Sequence, residues 1–104
     1  MPRFVFSYRH PAGYSPSPDS ASAWMAWFEG MGDHLVNLGQ PAIARTTLGN
    51  CDSSRTELSG YSVIEADDLE AATVIAKGCP HLGRGGGVEV GQLGEVPDLH
   101  PTGA

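Results

Sequence analysis

Basic side chains are scarce in this chain. Lys and Arg total 6 against 12 Asp and Glu, for a formal charge of −6, and no stretch gathers the few cations into a stripe. Proteins that neutralise a phosphate backbone need such a stripe, so nucleic acid is not an expected partner. Cysteine is rarer still: Cys51 and Cys79 form no CxxC pair. With no export signal at the N-terminus, both are expected to be free thiols in a reducing compartment, the cytoplasm. Cys79 reads as a small apolar filler at a helix end, and a catalytic thiolate is the sharper alternative. Long apolar runs are missing as well. The opening residues 4–8 are too few for a signal core or a bilayer span, so no membrane partner is expected. The histidines His10, His34, His81 and His100 fall into none of the usual metal-binding spacings, so neither a metal nor another cofactor is expected.

What remains is an ordinary globular composition, 40% apolar and 17% charged. A chain of 104 residues suits one domain, expected over residues 1–94 with a C-terminal tail over 95–104. A domain of this size leaves much surface exposed, which favours self-association.

Residues 3–8 are dense in aromatic and β-branched side chains and predict a strand. Ser17 is a helix cap ahead of Pro18, where a missing N–H costs nothing. Trp24, Phe28, Met31, Leu35 and Leu38 then recur at steps of four, three, four and three, predicting a helix to residue 37 that Gly39 and Pro41 close. Residues 42–48 suit a second strand, 49–59 a polar loop that is a candidate lid, and 60–65 a third strand. Asp67 with Glu70 forms a capping box for a second helix that buries Leu69, Ala72, Ile75 and Ala76 and ends at Gly78. Residues 87–93 complete the set as a fourth strand.

The order βαββαβ predicts an α+β, ferredoxin-like fold: an antiparallel four-stranded sheet with two helices on one face. Strand residues alternate sides, so Val5, Val63, Ile64, Val88 and Val90 cannot all face the helices. A second copy of the chain is the simplest cover for the other face, which predicts a homodimer.

Three stretches carry a family likeness: Trp24-Met25-Ala26-Trp27-Phe28 through to Leu38-Gly39-Gln40-Pro41, the run from Ser59-Gly60-Tyr61-Ser62 to Leu69-Glu70-Ala71-Ala72, and Lys77-Gly78-Cys79-Pro80 leading to Gly86-Gly87-Val88-Glu89-Val90. In these the chain resembles the YCII-related (DGPF-type) family of the dimeric α/β-barrel superfamily. The resemblance implies a dimeric α/β barrel with a pocket. In some members a His on the first helix pairs with an Asp as an acid–base dyad. Here Phe28 stands in that region and His34 lies closer to Gly39, so the dyad is not carried over.

For the site, His10 at the end of the first strand and His81 before the last can share a pocket mouth, either as catalytic base or as ordinary loop residues. Trp27, with Trp24, Phe28 and Met31, walls a cavity or fills the core. Arg45, Tyr61, Ser62 and Glu89 line the pocket or pair across strands, depending on which parity points inward. Residues 83–87 follow a helix and open a strand, the reverse of a phosphate-cradling loop, and read as turn glycines. The expected function is a small-molecule pocket with a non-catalytic binding or regulatory role. The alternative, implied by the superfamily, is a cofactor-independent enzyme carrying out proton transfer, isomerisation or elimination on a small aromatic or lactone-like compound, with His10 or His81 as base.

Overall fold

The computed structural model describes residues 1–95; the expected tail beyond them, His100 included, lies outside the described residues. The central strand β1 (Arg3–Pro11) alternates in burial along its length. Phe4, Phe6, Tyr8 and His10 are buried on one face, while Val5, Ser7 and Arg9 lie half-buried on the other. Its neighbours are β3 (Thr56–Glu65) and β4 (Gly87–Leu93), both antiparallel to it, and β2 (Leu35–Pro41) pairs with the far side of β3. The sheet order is β2-β3-β1-β4. Two helices, α1 (Pro18–Met31) and α2 (Leu69–Ala76), join these strands into an α+β domain compatible with a ferredoxin-like arrangement.

Helix α1 begins where its cap predicts. The Ser17 hydroxyl accepts from the Ser20 N–H at 3.2 Å and the Ser20 hydroxyl accepts from the Ser17 N–H at 3.0 Å, with Pro18 at the first helical position. It ends earlier than the apolar spacing predicts, at Met31. Gly32, at φ +54°, turns the chain into a short 3₁₀ segment over Gly32–His34. Leu35 and Leu38 therefore belong to β2, where Leu35 pairs with Ile64. Two glycines around position 31 weaken the helix, and strand pairing offers the following backbone better partners.

Three further expectations are corrected. Residues 42–48 form no strand, and Ile43 and Leu48 there are exposed. Strand β3 starts at Thr56 rather than at 60, and the loop before it runs over residues 42–55. The cap of α2 is Asp68, whose carboxylate accepts from the Ala71 N–H at 2.8 Å, and not Asp67. The frame shift also exposes Leu69, while Ala72 and Ala76 are buried.

The core lies between the helices and one face of the sheet. Phe4, Phe6 and Ile64 expose no surface and meet Met31, Ala66, Ala72, Ala76 and Cys79. Burying side chains of this size stabilises the fold by about 1.5–3 kcal/mol each. Val88 and Val90 also pack on this side, as their register opposite Tyr8 and Phe6 requires. Val5 and Val63, paired directly across β1 and β3, are left on the opposite face. They share it with Ser7 and Tyr61 and with an Arg3–Glu65 ion pair at 3.5 Å.

Candidate functional site

A cleft of about 330 Å³ opens between the N-terminal half of α1, the end of β2 and the bulged part of β3. Its walls are mostly aromatic and aliphatic: Tyr8, Tyr14, Trp24, Phe28 and Leu38, with the backbone around Gly39 and Gly60. Two features of the sequence build it. The β1–β3 register slips between Tyr8, opposite Gly60, and Arg9, opposite Leu58. Ser59 is then the extra residue of a bulge, which re-aims it toward the helix side. At Gly39, φ is +77° and a Cβ would collide with the Tyr61 carbonyl oxygen, so only glycine lets β2 lie this close to β3.

His81 closes one end. A tight turn after α2 holds it: the Gly86 N–H donates to the His81 carbonyl at 3.2 Å and the Leu82 N–H to that of Cys79 at 3.0 Å. The ring is 3% exposed, edge-on to Trp24 at 4.9 Å and to Tyr14 at 5.4 Å. Its Nε2 lies 3.2 Å from the Ser59 hydroxyl. Burial, with the nearby His10 and Arg84, pushes its pKa below the ordinary value of 6.5. The imidazole is thus neutral at pH 7.

His10 is brought beside it, ring centroids 6.1 Å apart, as the reading of a shared pocket mouth requires. It plays a different part. Buried and stacked on Tyr14 at 5.1 Å, it donates through Nδ1 to the Pro11 carbonyl at 3.0 Å and lies 3.9 Å from the Glu57 carboxylate. His10 supports the wall, whereas His81 is part of it.

Tyr8 forms another wall and is 4% exposed. Its ring meets Trp24 edge-on at 4.7 Å. Its hydroxyl is the buried side-chain polar atom without a hydrogen-bond partner among the described residues. The adjacent Ser62 hydroxyl donates instead to the Leu38 carbonyl at 2.6 Å. Burial pushes the Tyr8 phenol far above its usual pKa, opposed in part by the nearby Ser62 hydroxyl, which is close enough to act on it but not placed to form a proper hydrogen bond, and aided by Cys79, so it is a neutral donor. The Tyr14 hydroxyl, by contrast, is committed to Ser20 at 3.0 Å.

The remaining sequence candidates are distributed differently. Tyr61 borders the cleft, although its parity is opposite to that of the core residue Ser62. Trp27 is half-buried against the core, stacked on Phe6 at 5.9 Å and donating from Nε1 to the Ile75 carbonyl at 3.1 Å; it touches a second depression between the helices, not this cleft. Arg45, expected on a strand, sits in the loop after β2. There it donates to the Leu58 carbonyl at 2.9 Å and pairs with Glu57 at 3.3 Å. Glu89 is exposed on β4 opposite Ser7, on the sheet face away from the helices.

Cys79 is a buried free thiol, and burial raises its pKa, which disfavours the thiolate. His34 donates through Nδ1 to the Glu65 carbonyl at 2.8 Å. Among the described residues, no group of three or more His, Cys, Asp or Glu side chains could hold a metal ion, and no helix is long and apolar enough to cross a membrane. Sequence reasoning missed Tyr8, Tyr14 and Ser59. Tyr8 carries no local signal beyond its place in a strand, and Ser59 reaches the cleft only through the bulge.

No family model matches the chain, and no curated protein matches it.

Proposed function

We propose that this protein is a small-molecule binding or regulatory module without catalytic activity, taking its ligand in the cleft between α1 and the β2–β3 edge. The observation that carries the reading is a cleft of about 330 Å³ walled by Tyr8, Tyr14, Trp24 and Phe28, with one neutral imidazole at its end. Ligand sites are typically concave, mainly apolar and furnished with a few convergent polar groups. The likeness to YCII-related proteins, resting on the three stretches quoted above, supports the same reading and a dimeric α/β-barrel assembly. Val5 and Val63 on the sheet face away from the helices are where a second copy would dock. Two unpaired cysteines suit the reducing cytoplasm.

One observation favours a second reading. His81 is a neutral base in the cleft wall, 3.2 Å from a serine hydroxyl, as a cofactor-independent proton transfer would need. A thermal-shift screen of neutral and charged aromatic compounds, followed by analysis of each hit after incubation, separates the two. Under the binding reading a ligand at a hundred times its Kd raises Tm by roughly 10 °C, since that occupancy contributes about 2.7 kcal/mol in a domain of this size, and the compound is recovered unchanged. Conversion of the compound, lost in His81→Ala, would overturn it in favour of an enzyme.

A further inference from the structure

Resting on that reading of the cleft, we propose that its ligand is a neutral, flat aromatic molecule carrying a carbonyl-type oxygen, which accepts a hydrogen bond from the Tyr8 hydroxyl. The polar atoms of the wall select this class. Tyr14 and Ser20 spend their hydroxyl protons on Ser20 and on the Ser17 carbonyl, and Ser62 spends its own on Leu38. Ser59 and His81 face each other. The Gln40 amide and the Tyr61 hydroxyl belong to exposed residues of the wall and reach water, which leaves the Tyr8 hydroxyl as the buried one without a well-formed hydrogen bond among the described residues. An unmet buried donor is costly, so a molecule that supplies an acceptor gains more there than one that does not.

Charge excludes the anionic relatives of such a molecule. No Lys or Arg lines the cleft, His81 is neutral at pH 7, and the chain carries a net charge of −6. A carboxylate entering this wall would lose its hydration with no cation to meet it. Flatness follows from the edge-on and tilted rings of Trp24, Tyr8 and Phe28, against which an aromatic face or edge packs well. The hydroxyl is shut off from solvent, so the acceptor reaches it with a small shift of this aromatic wall, and Trp24 reports binding.

Three probes of one shape test the inference: 2-acetylnaphthalene, 2-ethylnaphthalene and 2-naphthoate, titrated into the full chain at pH 7.5 while the two tryptophan indole N–H signals are followed by NMR. The ketone should bind roughly three- to tenfold tighter than the ethyl compound, and the naphthoate more weakly than either. The Trp24 signal should move and that of Trp27 stay. In Tyr8→Phe, which removes the buried hydroxyl and keeps the ring, the preference for the ketone over 2-ethylnaphthalene should vanish. Equal binding of ketone and ethyl compound, or a naphthoate that binds best, would overturn the inference and leave the cleft as a ligand site. If no probe binds, and the Trp24 signal shifts instead with protein concentration, both the inference and the ligand-site reading fall, with a second copy of the chain as the occupant. If Tyr8→Phe does not fold, the wild-type order of the three probes decides.

Discussion

Gly39 and His81 are the two residues on which the shape of the cleft most depends. Gly39→Ala would place a methyl against the Tyr61 carbonyl in a left-handed conformation, so it should cost more than about 1 kcal/mol in urea unfolding and open the cleft at its β2 side. His81 links the site to pH. Its folded pKa lies below the unfolded value of 6.5, so below that value the unfolded chain binds the extra proton first. Stability is full above pH 6.5 and falls as acid is added, until the folded value is passed. Thermal unfolding between pH 7.5 and 5 should show this loss, and His81→Gln should flatten it. At this scale the sequence disclosed that His10 and His81 meet, because both flank strand ends that the topology brings together. It could not disclose which of them faces the cleft, since that depends on the turn over residues 79–86 and on the stacking of Tyr14. Nor could it disclose that the Tyr8 hydroxyl lacks a well-formed partner, which depends on how the side chains around it pack.

The helices are set by their caps more than by their apolar stripes. Ser17→Ala removes one arm of a reciprocal pair and should cost about 0.5–2 kcal/mol, read from chemical denaturation. Asp68→Ala should cost about the same, whereas Asp67→Ala should be close to neutral, because only Asp68 accepts from the α2 backbone. The start of α1 was legible from Ser17-Pro18, and the last strand from its β-branched alternation. The end of α1 was not. Leu35 and Leu38 continue its three-and-four spacing, yet their backbone pairs with β3, and nothing local to Gly32 says that a distant strand will outbid one more helical turn. The same competition accounts for residues 42–48, whose composition is strand-like but whose expected place beside β3 is already taken by Leu35–Pro41.

At the scale of the whole molecule, the described residues form a sheet whose helices cover one face. Three of the five apolar strand residues that suggested a greasy second face, Ile64, Val88 and Val90, turn toward the helices, leaving Val5 and Val63 beside charged neighbours. If a second copy docks there, Val63→Glu should convert a dimer to a monomer in sedimentation equilibrium, with Tm made independent of protein concentration. The account as a whole stands on the cleft between α1 and the β2–β3 edge as the place where a small molecule binds. The most direct measurement is a backbone amide NMR titration with 2-acetylnaphthalene at saturating concentration. The account predicts shifts confined to residues 8, 14–28, 38–41, 59–61 and 81. Shifts gathered on β4 and the face away from the helices, or no shifts at all, would contradict it.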